Sequence, residues 1–138
     1  SPSNKKKLID VACGTGDIAK FYIEATNNNA SIMCADSNIN MIHECKNNLK
    51  QYKNIQWKIC NAEKLDIEDN SFDFYTISFG LRNTKDINKT LKEAHRVLKK
   101  GGRFLIIPPP QSLRNGICNN LYVHEMNVTE NDCLKATK

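Results

Sequence analysis

Short apolar runs alternate with amphipathic stretches from residue 7 to about residue 107, and that alternation leaves the chain few folds to choose from. Leu8–Cys13 reads as a first strand. An amphipathic helix follows from Asp17, with Ile18, Phe21, Tyr22 and Ala25 on one side, until Asn27-Asn28-Asn29 breaks it. Ile32–Ala35 reads as a second strand ending at Asp36. The next helix sets Ile42, Cys45, Leu49 and Tyr52 at i, i+3, i+7 and i+10. Ile55, Trp57 and Ile59 alternate with polar residues, the pattern of a strand with one exposed face near a sheet edge. Asp69-Asn70-Ser71 is a turn cluster before a fourth strand, Phe72–Phe79. A helix over 86–100 carries Ile87, Leu91, Ala94, Val97 and Leu98. Gly101-Gly102 is expected to end it after Lys99-Lys100, cations at the end the helix dipole favours. Phe104–Ile107 is the fifth strand, stopped by Pro108-Pro109-Pro110.

Units of this length close into an α/β fold: a doubly wound, mostly parallel sheet with right-handed crossovers and helices on both faces. Ligands of such sheets bind beyond the carboxyl ends of the strands, where the strand order switches. Asp10, Gly14, Asp36, Asn61 and Ser78 all fall at or just beyond a predicted strand end. Residues 1–110 are thus read as one ligand-binding core, while 111–138, polar and weakly periodic, stay unassigned.

The turn after the first strand, Cys13-Gly14-Thr15-Gly16-Asp17, narrows the ligand. Glycines there let the backbone turn tightly and approach a ligand, and the following helix offers unpaired N–H groups. Gly14-x-Gly16-x-x-Ala19, with Asp36 20 residues after Gly16, satisfies the dinucleotide pattern, so a nicotinamide-dependent enzyme stays open on spacing alone. Charge argues the other way. Asp10 and Asp17 flank the turn and would repel a pyrophosphate, whereas they attract a ligand carrying an ammonium and a sulfonium. S-adenosylmethionine is such a ligand. Asp36 can then accept both ribose hydroxyls, cap the following helix, or do both. Asn61 and Ala62 offer an amide and a backbone N–H to an adenine edge, against the plainer role of a turn. Ile39 and Met41 either sandwich that ring or belong to the helix core.

Bulk properties exclude more than they assign. At 138 residues the chain makes one domain. Its net charge of +5 rests on scattered lysines, Lys5-Lys6-Lys7 being the only triple, and no basic-and-aromatic stripe accompanies them. Nucleic acid is therefore not an expected partner. No apolar run nears the ~20 residues of a bilayer span, and no signal-peptide pattern occurs. The chain opens on Ser1 rather than Met, so an upstream segment is expected to be absent from it. None of Cys13, Cys34, Cys45, Cys60, Cys118 and Cys133 forms a CxxC pair, and His43, His95 and His124 stand at no metal-ligand spacing. No metal is expected. Cys34 and Cys60 fall in apolar strand patterns, as reduced thiols do, which points to an intracellular or matrix compartment.

Four stretches in order, LIDVACGTGDIA (8–19), NAEKL (61–65), DNSFDFYTISFGLRN (69–83) and HRVLKKGGRFLII (95–107), resemble the ubiquinone/menaquinone-biosynthesis C-methyltransferase family. The glycine loop alone marks only the wider class I methyltransferases; TISFGLRN (76–83) is the specific part. The resemblance implies a seven-stranded Rossmann-like class I methyltransferase fold, S-adenosylmethionine as donor, and a polyprenylated benzoquinol or demethylmenaquinol as acceptor. It implies donor contacts at Asp10, Ala12, Gly14, Thr15, Gly16, Asp36, Ser37, Met41, Asn61, Ala62 and Ser78. It places Arg82 and Asn83 beside the quinol as catalytic residues. A lipid-tailed acceptor further suggests peripheral membrane association, with a homodimer or a quinone-biosynthesis complex as the assembly. The compartment would be the matrix face of the inner mitochondrial membrane in a eukaryote, or the cytoplasm of a bacterium.

The acceptor side departs from the family. Ile107-Pro108-Pro109-Pro110-Gln111 stands where relatives carry a Leu-Glu-Phe-Ser-like stretch, and Leu65-Asp66-Ile67 where they carry Leu-Pro-Phe. The N-terminal segment that covers the site in relatives is expected to be missing, and the closing hairpin is not recognisable, so the sheet is expected to be incomplete at that hairpin. A methyltransferase on another small molecule and a donor-binding subunit without turnover remain alternatives. Nucleic-acid amino-methyltransferases rank low, because they carry Asn/Asp-Pro-Pro-aromatic where this chain has Ser78-Phe79-Gly80. Chemically, a quinol carbon becomes nucleophilic once a phenolic proton leaves, and alignment with the methyl supplies much of the acceleration. Arg82, with a pKa above ~12, is a poor base but a good partner for a phenolate, and Asn83 could orient a water or hydroxyl. His95, on a helix, reads as structural.

Overall fold

β1 (Lys7–Val11) is buried from Leu8 onward, as a near-continuous apolar strand requires at the centre of a parallel sheet. The computed structural model describes residues 6–77, 85–106 and 124–127. β1 lies between β2 (Ser31–Asp36) and β4 (Phe72–Ile77). β3 (Ile55–Ile59) pairs outside β2, β5 (Leu98–Ile106) outside β4 and β6 (His124–Asn127) outside β5, giving the order β3-β2-β1-β4-β5-β6. Every pairing is parallel except β5 with β6. The described residues thus hold six strands of this sheet, where the resemblance implied seven.

Leu8, Ile32 and Cys34 pack under α1 (Asp17–Ala25) and α2 (Ile39–Leu49) on one face. Ile9, Val11, Tyr75 and Ile77 pack against α3 (Ile87–Val97) on the other. The strand order reverses between β1 and β4, the place where sheets of this kind bind ligands at the carboxyl ends of their strands. Among the described residues β3 is the outer strand, as expected, but its alternation is met only in part: Ile55 is buried, Trp57 half-buried and Ile59 52% exposed. Asn27 and Asn28 end the first helical run in left-handed conformation (φ 53 and 62), which asparagine tolerates. No helix among the described residues is long and apolar enough to cross a membrane.

Three expectations are corrected. The inward face of α1 is centred on Ala19 and Ile23, with Ile18 half-buried and Tyr22 packed against the core beside them as expected, whereas Phe21, 73% exposed, and Ala25 face outward. Gly16 brings α1 so close to α2 that a Cβ there would stand 2.8 Å from both Cys45 Sγ and Leu49 Cδ1, and a small residue, Ala19, fits behind it. α3 stops at Val97 rather than Lys100. Leu98 is already extended (φ −81, ψ 140) and pairs with Phe72. The register then jumps to Phe74 against Arg103, so Lys99–Gly102 bulge opposite Asp73, with Gly101 at φ 83. Lys99 meets Asp73 at 3.7 Å instead of a helix end, and His95 and Arg96 occupy the last turn. Finally, residues 124–127 within the unassigned segment form β6, from Ile106 against His124 to Arg103 against Asn127.

Candidate active site

β1 ends where Ala12 turns left-handed (φ 57), followed by Gly14 (φ 56) and Gly16 (φ 96). Cys13 N–H donates to Ala35 O and Gly16 N–H to Cys13 O, each at 3.0 Å, so the loop is pinned to β2 and folded on itself. Asn48 Nδ2 of α2 donates to Thr15 O at 3.0 Å. The two glycines answer to different constraints. Gly16 lets two helices meet, whereas a Cβ on Gly14 would find nothing within 4 Å, leaving the space before the loop open to a ligand.

Asp36, the last residue of β2, faces this loop. Its Oδ2 accepts from Gly14 N–H at 3.1 Å and its Oδ1 from Asn38 N–H at 2.9 Å. Capping of α2 falls to Asn38, whose Oδ1 accepts from Asn40 N–H at 2.8 Å and Met41 N–H at 3.4 Å. The capping role open to Asp36 in the sequence therefore belongs to its neighbour. Each Asp36 oxygen is oriented by one backbone donor and keeps lone pairs for more, an arrangement suited to a vicinal diol.

Asp10 lies beneath the loop, 1% exposed. Its Oδ1 accepts from Thr76 Oγ1 at 2.8 Å, and its Oδ2 is buried with no partner. Burial pushes its carboxyl up to about 7; the Thr76 hydrogen bond opposes this, and the nearby Cys45 and Asp36 add to it. Asp17, the other flanking acid, is exposed in the first turn of α1, where it complements the helix dipole. One acid is thus inside the fold and the other outside. Thr76, which fixes Asp10, carried no signal in the sequence beyond its place in a strand.

Past β3, Asn61 Oδ1 accepts from Glu63 N–H at 2.8 Å and closes a turn, and Cys60 N–H donates to Asp36 O at 3.1 Å, bringing that turn beside Asp36. The Asn61 side chain is exposed and Ala62 half-buried. Ser37 and Ile39 are exposed and Met41 half-buried at the start of α2, so Ile39, at 50% exposure, is no core residue. Glu63 Oε2 accepts from Lys85 N–H at 3.0 Å. Behind the site Arg96 holds the 65–69 loop, donating to Leu65 O at 2.8 Å and to Ile67 O and Asp69 Oδ1 at 2.7 Å, while Glu93 brackets its guanidinium. The carboxyl ends of β1, β2 and β3 thus bring Asp10, Gly14, Asp36 and Asn61 to one end of the sheet. Ser78, Arg82 and Asn83 lie outside the described residues.

The sequence profile of the ubiE/COQ5 methyltransferase family matches residues 1–124. The chain is 42% identical over 127 residues to the ubiquinone/menaquinone biosynthesis C-methyltransferase UbiE of Rickettsia prowazekii, covering 88% of this chain and 51% of that protein. It is 43% identical over 112 residues to the protein of the same name in Rickettsia bellii, covering 77% and 45%. The chain therefore spans about half the length of these curated relatives. Among solved structures, the YcgJ protein of Bacillus subtilis is similar at a TM-score of 0.70 and 25% identity, over 75% of this chain and 44% of that one. A SAM dependent methyltransferase of Aquifex aeolicus is similar in fold, at a TM-score of 0.69 and 21% identity over 75% and 56%.

Proposed function

The chain belongs to the ubiE/COQ5 methyltransferase family, and from that membership we propose that it transfers a methyl group from S-adenosylmethionine to a ring carbon of a quinol in ubiquinone or menaquinone biosynthesis. The Rickettsia relatives carry that activity in their names. The observation that carries the reading is Asp36, whose two oxygens are aimed by Gly14 and Asn38 N–H at the end of β2. Beside it, the unpartnered Oδ2 of Asp10 and the open face of Gly14 fit a cationic ligand over the loop, and a pyrophosphate poorly.

When bound, the donor supplies an electrophilic methyl on a sulfonium. Asp36 accepts the ribose hydroxyls, with Ser37 beside it. Asn61 and Ala62 read the adenine edge, and Ile39 and Met41 flank the ring with apolar surface. Asp10 adds negative charge under the cation, and Ala12, Thr15, Gly16 and Ser78 shape the backbone around it. Arg82, always protonated, stabilises the phenolate of the acceptor, while Asn83 orients the water or hydroxyl that takes the phenolic proton away. Orientation of ring carbon and methyl is the main contribution asked of these residues.

A polyprenylated benzoquinol or demethylmenaquinol is the acceptor in this reading, and its tail brings the chain to a membrane surface. A homodimer or a quinone-biosynthesis complex is the further association it allows. The named relatives are bacterial, which supports a cytoplasmic compartment and gives a mitochondrial one no support. Titration calorimetry with S-adenosylmethionine and with NAD, followed by a methylation assay on a short-tailed demethyl quinol, tests the proposal. Donor binding followed by methyl transfer is expected. NAD binding without S-adenosylmethionine binding overturns it, and donor binding without transfer reduces it to a donor-binding subunit.

A further inference from the structure

Cys13, Cys34 and Cys45 reach one point from three elements: the loop after β1, the middle of β2 and the middle of α2. Their Sγ atoms all lie within 4.8 Å of one another, and the residues are 7%, 0% and 0% exposed. Buried free thiols ordinarily act as scattered small hydrophobes. Three converging on one point make a ligand set. We propose that they form a three-thiolate site for a single soft cation, Cu(I), seated under the Gly14–Gly16 loop.

An ion bonded to three thiolates in a plane at about 2.3 Å holds its sulfurs about 4 Å apart, so the trio needs to contract by less than about 1 Å. No fourth His, Cys, Asp or Glu among the described residues joins the cluster. Zn(II) ordinarily completes a tetrahedron, whereas an all-sulfur set selects the softer ion. Asp10 is the cross-strand partner of Cys34 in register, on the same face of the sheet. Binding exchanges three S–H bonds for three Cu–S bonds, releases up to three protons and leaves copper as Cu(I). Cys13, the most exposed of the three, offers the way in.

Sequence spacing does not reveal this set, because its members stand 21 and 11 residues apart. The test is anaerobic titration of the full chain with Cu(I) against a competing Cu(I) chelator, with X-ray absorption at the copper edge. One equivalent of copper surrounded by three sulfurs is expected. The variant carrying Cys60→Ser, Cys118→Ser and Cys133→Ser should keep that equivalent, and Cys34→Ser should weaken it by at least about 100-fold. Should Cys34→Ser not fold, the absorption spectrum of the unaltered chain decides. Two sulfurs, nitrogen or oxygen neighbours, loss of copper from the triple variant, or full retention by folded Cys34→Ser would each overturn the site.

Discussion

Asp36 and Asp10 are both acids at the ends of neighbouring strands, yet their surroundings assign them opposite consequences. Asp36 is held by two backbone donors at the mouth of the site. Asp36→Ala should weaken S-adenosylmethionine binding by about 10- to 100-fold in calorimetry, the loss of one or two charge-assisted hydrogen bonds, while Arg82→Ala should spare binding and lower turnover. The reverse pattern would exchange the two roles. Asp10 is buried, and its carboxyl sits near 7 in the fold against 3.8 in the unfolded chain. Between those values the folded state holds a proton that the unfolded state has lost, so stability falls as pH rises from about 4 to about 7. The fall is on the order of 4 kcal/mol. Asp10→Asn should therefore raise the melting temperature at pH 8 more than at pH 5. It should also weaken donor binding at pH 8, where the ionised carboxylate faces the cation. An equal change in melting temperature at both pH values would refute the buried ionisation.

At the scale of elements, the two loop glycines separate fold from ligand. Gly16→Ala puts a Cβ 2.8 Å from Cys45 Sγ and Leu49 Cδ1 at φ 96, and should cost about 2–4 kcal/mol in denaturant unfolding. Gly14→Ala meets nothing and should cost only about 1–2 kcal/mol while still reducing donor affinity. Arg96→Ala removes the guanidinium that ties Leu65, Ile67 and Asp69 to α3, and should destabilise by about 2–3 kcal/mol. Lysine should not restore it, because one ammonium cannot reproduce that planar fork. These elements also show what a sequence displays. The strands, and the gathering of Asp10, Gly14, Asp36 and Asn61 at one end of the sheet, were legible because Leu8–Cys13 runs into Gly14 and Gly16 and because the next apolar run stops at Asp36. The face of α1 was legible only in part, because large Phe21 outweighed small Ala19 in the pattern, while helix contact at Gly16 selects the small residue. The end of α3 was misread because Leu98 suits helix and sheet equally, and pairing with Phe72 decides between them. Arg96 carried no signal in the sequence, because its partners come from a loop about 30 residues earlier, which no local pattern carries.

At the scale of the whole molecule, the described residues form one sheet with its most buried strand in the middle and the candidate site at one end. β1 pairs on both sides and is buried from Leu8 onward, while among the described residues β3 pairs with β2 alone. Hydrogen exchange should accordingly be slowest in β1 and β4 and faster in β3. Added S-adenosylmethionine should slow exchange together in the loops after β1, β2 and β3; protection confined to the first loop would leave the ribose and adenine contacts without support. The bond from Gly14 N–H to Asp36 Oδ2 joins two of those loops, and it turns one proton into a gauge. A ribose that shares the Asp36 carboxylate must draw electron density from that amide's acceptor, and the amide resonance must move. A chain labelled with nitrogen-15 at its 6 glycines alone would then report, in a single spectrum, whether a nucleoside's sugar has arrived.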